Sequence, residues 1–293
     1  MSIFSAIFQG IVQGLTEFLP VSSSGHLSLI QYFSGQSGET GIFFSILLHL
    51  GTLLAVFLAF YKTILEIIAA FFAILGDIFR GRFSLRKASP QQRMVLLLIV
   101  SLLPMIITVI FRDWFSALAS DDSILAEGIC FLLTSVLLFL SVKCVKGHKN
   151  AATMQYKDAV AVGLVQSVAP LPGLSRSGST ISVGLMMGLD RKFAVAFSFI
   201  MGVPAVLGAN VLEIGDAVRQ GIELPWSVML TGLAFSFVFG LLAIKMVNWL
   251  VTSDKFKYFA WYTLILGGVT VLVAIVEKLS DHAVRQWVMG LFS

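Results

Sequence analysis

The chain has 293 residues, of which 57% are hydrophobic and only 12% are charged, and its mean hydropathy is +0.93. In soluble domains about a quarter of the residues are charged. This composition therefore excludes an ordinary soluble domain and predicts an all-α protein with several membrane spans. The net charge of +4 does not indicate nucleic-acid binding, because the basic residues lie in loops beside apolar segments, where they set orientation. We predict one integral membrane domain over residues 1–293, with no nucleic-acid partner.

In chain order, the first apolar segments are a pair, 3–18 and 27–34, separated by a polar Pro/Ser/Gly stretch. A second short pair, 158–169 and 179–188, flanks a similar break. Neither half of a pair is long enough to cross a bilayer, so each pair is predicted to be a re-entrant helix–loop–helix hairpin. About six other segments are long enough to cross the membrane: 43–61, 94–111, 124–142, 193–212, 226–250 and 259–276.

Loop charge predicts the orientation. Loops 80–93 and 143–157 are basic, and basic loops stay on the cytoplasmic side. Two spans between these loops keep both of them on the cytoplasmic side. A further crossing by segment 63–79, which contains Glu66 and Asp77, would invert the rest of the N-terminal half, so this segment is predicted to be interfacial or partly inserted. The loops after 111 and from 213 to 225 are more acidic and are predicted to be external. The acids concerned are Asp113, Asp121, Asp122, Glu213, Asp216 and Glu223.

The two hairpins also match in sequence at a constant offset of 153 residues. The matching pairs are Gly10 and Gly163, Gln13 and Gln166, Ser22 and Ser175, Ser24 and Ser177, Gly25 and Gly178, then Phe44-Ser45 and Phe197-Ser198. Three predicted spans separate the copies, and an odd number of crossings inverts the second relative to the first. We therefore predict an inverted-topology repeat, about 1–61 and about 158–212, whose hairpin tips meet near the bilayer midplane.

The tips bring together groups that are costly in lipid and therefore indicate a functional site. Glu17 and His26 flank the first break, and Arg176 lies in the second, before a helix predicted to start near Ser179. Helix N-termini, glycines, hydroxyls and a guanidinium fork together favour an oxyanion such as phosphate. The small residues concerned are Ser22, Ser23, Ser24, Gly25, Gly173, Ser175, Ser177 and Gly178.

Structural explanations compete with this reading. Ser/Gly/Pro stretches often form turns without further function. Glu17 and Arg176 could pair only to hold the hairpins together, since buried charges usually pair. His49, inside the span 43–61, is interpreted as a hydrogen-bonded packing residue, and Glu127 as a residue near the outer end of its span.

The stretch Gly14-Leu15-Thr16-Glu17-Phe18-Leu19-Pro20-Val21-Ser22-Ser23-Ser24-Gly25-His26 and the stretch Pro172-Gly173-Leu174-Ser175-Arg176-Ser177-Gly178 closely resemble the two motifs of the undecaprenyl-diphosphatase family. These are bacterial membrane enzymes also known for bacitracin resistance. The resemblance covers essentially the whole chain. It implies hydrolysis of undecaprenyl diphosphate to the monophosphate and inorganic phosphate, which recycles the lipid carrier of cell-wall peptidoglycan synthesis. It also implies a divalent cation, Mg²⁺ or Ca²⁺, and a site opening to the outer face of the cytoplasmic membrane.

By position, the resemblance implies catalytic roles for Glu17, His26, Arg176 and Ser175, with Glu17 also a metal ligand. The substrate-binding set is Gln13, Ser22, Ser23, Ser24, Gly25, Gly173, Ser177 and Gly178. Many members of the family have a second glutamate where this chain has Gln13, and an amide cannot act as a base. Two-carboxylate metal binding is therefore not expected here.

Several alternatives remain open at this point. The nucleophile could be His26, a motif serine or water. A transporter or flippase of a lipid phosphate or small anion is the rival function, because broken helices in inverted repeats are typical of secondary transporters. A homodimer is compatible with the sequence.

Overall fold

The computed structural model describes residues 2–35, 39–111, 114, 123–144, 146–219, 224–253, 255–280 and 282–292. Within these ranges the regular structure is helical, apart from one isolated bridge between Lys149 and Leu189. The α-helices are α1 (Ile3–Phe18), α2 (Ser23–Ser34), α3 (Glu39–Ala59), α4 (Tyr61–Phe79), α5 (Pro90–Leu102), α6 (Ile106–Ile110), α7 (Leu125–Val142), α8 (Tyr156–Ser167), α9 (Arg176–Met186), α10 (Arg191–Arg219), α11 (Trp226–Thr252), α12 (Lys257–Leu279) and α13 (Ala283–Phe292). The prediction of an all-α protein is confirmed.

The predicted membrane spans are also found. Five helical stretches are long and apolar enough to cross a bilayer: Pro90–Ile110, Leu125–Val142, Arg191–Gly208, Trp226–Val251 and Lys257–Leu279. The sixth predicted span is α3, which meets α4 at a bend of 84°. The bend separates α3 and α4 into two distinct segments, and the interfacial position of 63–79 stays a prediction. The protein is a multi-pass membrane protein.

Some predicted boundaries were wrong. The second helix of each hairpin begins about one turn early, at Ser23 and at Arg176, because the preceding serine caps it. Helix α10 continues to Arg219, so the predicted external loop does not begin at 213. The C-terminal helix α13 was not predicted. The predicted external acids Asp113, Asp121, Asp122 and Glu223 lie outside the described residues, as do the side chains of Glu213 and Asp216.

The matching helices of the two hairpins make comparable packing contacts, while the inverted relation of the copies stays a prediction. Helix α1 packs on α11, and its counterpart α8 packs on α5, while α3 packs against its own counterpart α10. The matching glycines mediate these contacts, because a Cβ on Gly10 would lie 2.7 Å from the Gly232 carbonyl oxygen and one on Gly163 would lie 2.1 Å from that of Ser101. Equivalent glycines therefore allow close helix packing in both hairpins.

The main apolar core surrounds the hairpin tips. Phe18 and Leu19 at the end of α1 pack with Ile181 of α9, Phe199 of α10 and Leu138 of α7, all of them buried. The tips are thus enclosed by apolar side chains from helices of both copies. This enclosure removes the polar groups of the tips from bulk water, which strengthens every electrostatic interaction between them.

Candidate active site at the hairpin tips

Hairpin one breaks because of Pro20. The residue before a proline is forced out of the helical region, and Leu19 is accordingly extended, with ψ of 144°. Ser22 then adopts a positive φ of 69° while its Oγ accepts a hydrogen bond from the Gly25 N–H at 3.3 Å, as the N-cap of α2. A non-glycine residue with such a φ costs about 1–3 kcal/mol and is found most often at functional sites.

Hairpin two also breaks and restarts a helix, but its positive φ falls two residues before the N-cap. Gly173 supplies the positive φ, at 90°. Ser175 caps α9 by accepting from the Gly178 N–H at 3.0 Å. Thr134 of α7 fixes this loop: its Oγ1 donates to the Gly173 carbonyl at 3.2 Å and accepts from the Ser175 N–H at 3.0 Å. Helix α7 therefore holds the second tip in place.

The two tips touch each other through their small residues. A Cβ on Gly25 would lie 2.7 Å from the Gly173 Cα, and the counterpart contact places a Cβ on Gly178 3.1 Å from the Pro20 Cβ. Ser177 Oγ donates across the junction to the Leu19 carbonyl at 3.2 Å. The predicted meeting of the tips is confirmed. Gly25 and Gly178 pack against the other hairpin, and Gly173 packs against α7. A side chain at any of these three positions would prevent the close approach of the tips.

Glu17 is the centre of the polar groups and is buried. Its Oε1 accepts from Arg176 Nη2 at 2.5 Å. Its Oε2 accepts from Ser23 Oγ at 2.6 Å and from Gln13 Nε2 at 3.0 Å, and His49 Nε2 lies 3.5 Å away. Both hairpins and α3 therefore converge on one carboxylate.

Ser23 and Arg176 occupy equivalent positions of the two copies, since they are 153 residues apart and each is the first residue of its helix. Each donates to Glu17. The N-termini of α2 and α9 thus converge on the same point, where their partial positive charges favour an anion. Among the described residues, Arg176 Nη1 is buried and has no hydrogen-bond partner, so the guanidinium retains donors for a further oxygen.

His26 lies in the first turn of α2, and its ring is held by two contacts. Nδ1 is 2.7 Å from the Ser22 carbonyl oxygen, which can only accept, so Nδ1 carries the proton in the neutral ring. Nε2 is 2.6 Å from the Tyr262 hydroxyl. The ring of Tyr262 also stacks on the imidazole at a centroid distance of 5.8 Å. The ring is therefore oriented by Ser22 and Tyr262. The remaining basic nitrogen, Nε2, faces Tyr262 at a solvent-accessible position.

The motif hydroxyls form matching pairs: Ser22 with Ser24, and Ser175 with Ser177, both at 3.3 Å between Oγ atoms. Ser24 is partly exposed, whereas the other three are buried. Ser22 and Ser175 act as helix caps in this structure. Ser24 is the hydroxyl of the four that remains accessible from the site.

Sequence reasoning missed or understated four contributors, which are His49, Tyr262, Thr134 and Glu127. His49 is hydrogen-bonded, as interpreted, through Nδ1 to the Ser45 carbonyl, but its Nε2 also lies 3.5 Å from Glu17, a contact that the interpretation did not include. Tyr262 and Thr134 come from spans without any motif. Glu127 is buried, accepts a hydrogen bond from Ser28 Oγ of α2 at 2.6 Å and packs through its backbone against Gly173. Its interpretation as a residue near the outer end of its span did not include these contacts with both hairpins.

A cleft leads from the ion pair to apolar side chains. Its walls are Glu17 and Arg176 on one side and apolar groups of α3 and α10 on the other. The apolar walls include Leu53, Val56, Phe199, Val203 and Val206. The cleft's volume of about 10 Å³ has room for about one water molecule, so an amphiphile with an anionic head group enters only if the walls move apart.

The oxygen donors beside Glu17 fit a divalent cation only in part. No group of three or more His, Cys, Asp or Glu side chains in the described part of the chain could share an ion. Gln13 Oε1 is buried beside Glu17 and has no hydrogen-bond partner among the described residues. One carboxylate and one amide oxygen suit a hard cation such as Mg²⁺ that takes its other ligands from phosphate and water.

Comparison with known proteins agrees with the motifs. The sequence model of the family described as bacitracin resistance protein BacA matches residues 6–269. The chain belongs to this family. Curated relatives named undecaprenyl-diphosphatase include one from Alkaliphilus metalliredigens, 38% identical over 94% of this chain and 100% of the relative. Others are from Methanosphaera stadtmanae, 36% identical over 94% and 99%, and from Treponema denticola, 39% identical over 91% and 96% of the two chains.

Proposed function

We propose that this BacA-family protein is an undecaprenyl-diphosphatase that hydrolyses undecaprenyl diphosphate to undecaprenyl phosphate and inorganic phosphate, and so recycles the lipid carrier of peptidoglycan synthesis and confers bacitracin resistance. The observation that carries the proposal is the convergence of Arg176, Ser23 and two helix N-termini on Glu17 at the junction of the tips. The names of full-length relatives support the substrate.

Arg176 binds the diphosphate. Its Nη2 stays on Glu17, which fixes the plane of the guanidinium, and its unpaired Nη1 donates to a phosphate oxygen. Because the site is enclosed, such a donor stabilises charge in the transition state far more than it would in water. The prenyl chain lies along the apolar walls of the cleft between α3 and α10.

His26 acts as the general base. Water attacks the terminal phosphorus and gives its proton to His26 Nε2; the bridging P–O bond breaks, and its electron pair leaves with undecaprenyl phosphate. The Ser22 carbonyl holds the Nδ1 proton, which leaves Nε2 as the basic nitrogen once the Tyr262 hydroxyl moves aside. The accessible Ser24 hydroxyl positions the water or a phosphate oxygen. Trapping of a phosphohistidine after rapid quench would contradict this assignment.

A divalent cation, Mg²⁺ or Ca²⁺, would be held by Glu17 and by Gln13 Oε1, with the diphosphate supplying further ligands. It would neutralise charge on the phosphate oxygens. Since the protein contributes one carboxylate, we expect weak cation binding without substrate and tighter binding with it.

We propose that the enzyme lies in the bacterial cytoplasmic membrane and that its site opens to the outer face. Basic loops 80–93 and 143–157 support this orientation, because they put the start of α1 outside. A homodimer stays a prediction.

The test is release of phosphate from undecaprenyl diphosphate by detergent-purified protein, with and without chelator, compared with the His26→Ala variant. Release that depends on His26 supports the enzyme. No release, with movement of a lipid phosphate across liposomes, would support the rival flippase or transporter.

A further inference from the structure

A line of polar side chains runs along one face of α1 from its start to the active site. Ser5, Gln9, Gln13 and Glu17 recur every four residues, which places them on the same side of the helix. Gln9 and Gln13 are fully buried. Three buried polar groups in successive turns are expensive in a membrane protein, so the line requires an explanation.

Side chains of α2 and α3 complete the line, which we call the polar strip: Ser5, Gln9, Gln13, Gln31, Ser45 and His49. Gln9 Nε2 donates to Ser5 Oγ at 3.0 Å, and its Oε1 accepts from Gln31 Nε2 at 3.3 Å. Gln31 Nε2 also lies 3.0 Å from Ser45 Oγ. The Ser45 carbonyl holds His49 Nδ1 at 2.8 Å, and His49 Nε2 reaches Glu17. The strip therefore connects Ser5, which is partly exposed, with the catalytic carboxylate.

The second copy does not have this strip. At the offset of 153, Gln9 corresponds to the buried Val162, Gln31 to Gly184 and His49 to Gly202. Asp158, the counterpart of Ser5, forms an ion pair with Lys149 at 2.8 Å, and this pair closes the start of α8. Since the two hairpins share one backbone plan, the polarity of hairpin one is not required by the fold.

We propose that the polar strip is the route by which inorganic phosphate leaves the active site toward the membrane face where α1 begins. The inference rests on the proposed function, because hydrolysis yields one product that stays in the bilayer and one that must reach water. Uncharged amides and hydroxyls offer both donors and acceptors to hydrogen phosphate, and they bind it more weakly than Arg176 does. The acceptor Gln13 Oε1, buried and without a partner among the described residues, lies at the site end of this route. The route is closed in this structure, so side chains of the strip must separate for phosphate to pass.

The experiment compares chemistry with release in Gln9→Met and Gln31→Met, which replace an amide by an apolar group of similar length. Formation of phosphate is followed by rapid acid quench with enzyme in excess over undecaprenyl diphosphate, and release by steady-state turnover with a phosphate-binding reporter protein. We expect single-turnover formation within two-fold of wild type and steady-state turnover at least ten-fold lower. Acid quench with substrate in excess over enzyme should then show a burst equal to the enzyme concentration. Gln166→Met removes a buried amide from hairpin two and should change neither rate.

Equal loss of both rates would overturn the proposal, because it would mean that the strip supports the fold or the chemistry. Unchanged turnover in well-folded Gln9→Met and Gln31→Met would overturn it as well. If one of these variants does not fold, the other and Ser45→Ala provide the same comparison. Wild-type protein that releases no phosphate at all overturns the proposed function and this inference together, whereas normal wild-type turnover with normal variants removes only the exit route.

Discussion

Hairpin one and hairpin two have the same backbone plan but carry different chemistry. Matching serines cap matching helices, at 3.3 Å in one hairpin and 3.0 Å in the other. Three of their differences lie at the site: Glu17 corresponds to Pro170, Ser23 to Arg176 and His26 to Ser179. The matched positions build the junction of the tips, and the unmatched positions supply the carboxylate, the guanidinium and the imidazole.

This comparison separates two kinds of residue that a motif alone does not distinguish. A matched residue is expected to affect stability similarly in both copies, except where its contacts or its backbone angles differ between them. An unmatched one is expected to affect activity in one copy only. Exchanging each unmatched residue for its counterpart therefore tests the division directly.

The largest effect is expected from Arg176→Ser, which gives hairpin two the residue of hairpin one. Phosphate release should fall about 10³-fold, the upper range for loss of one donor to an enclosed transition state. Stability should also fall by about 3–5 kcal/mol, because Glu17 is left buried without its charge partner. Activity assays and thermal unfolding in detergent measure the two effects separately.

Arg176→Lys is the control for charge. A lysine retains the positive charge but cannot hold Glu17 and a phosphate oxygen in one plane. We expect most of the stability to return and most of the activity to remain lost. Wild-type activity in this variant would show that simultaneous donation by the guanidinium to Glu17 and to a phosphate oxygen is not used.

His26→Ser, the exchange for Ser179, should lower turnover about 10²-fold, the lower range for a general base. Little change in stability is expected, because the ring is partly exposed. Tyr262→Phe is the matched control: it releases Nε2 and should keep activity within a few-fold of wild type. Equal losses in both variants would indicate that the stacked pair, rather than the base, is required.

The sequence predicted the spans, both hairpins and the meeting of their tips, because hydropathy and a constant offset determine them. It did not predict that α2 and α9 begin at Ser23 and Arg176, since capping geometry depends on the φ and ψ of the serine before each helix. Tyr262 and Thr134 could not be found at all: each reaches a tip from a span that is distant in sequence and has no polar pattern. The role of His49 depends on its contact with Glu17, and such a contact is a property of packing.

A smaller effect is expected at the matched glutamines. Gln13→Met removes a donor to a buried carboxylate, and a hydrogen bond to a charged group contributes about 1.5–3 kcal/mol. Turnover should fall about ten-fold, and more cation should be needed for half-maximal rate. Gln166→Met removes only a contact with the Met105 sulfur at 3.3 Å and a carbonyl oxygen without a partner in the described structure, so activity should not change. Similar losses in the two variants would mean that both glutamines are structural.

The smallest effect tests the one backbone difference between the matched caps. Ser22 has a φ of 69°, whereas Ser175 has an ordinary φ of −70°. Glycine adopts a positive φ without steric cost and replaces a serine cap at a loss of only a few tenths of a kcal/mol. Ser22→Gly should therefore raise stability by about 1 kcal/mol, while Ser175→Gly should lower it by a few tenths. Thermal unfolding in detergent gives the order of the two variants against wild type. If Ser22→Gly is stabilised and loses activity, the strained serine is held for function; if it is destabilised as much as Ser175→Gly, the two caps are equivalent and the strain has no separate role.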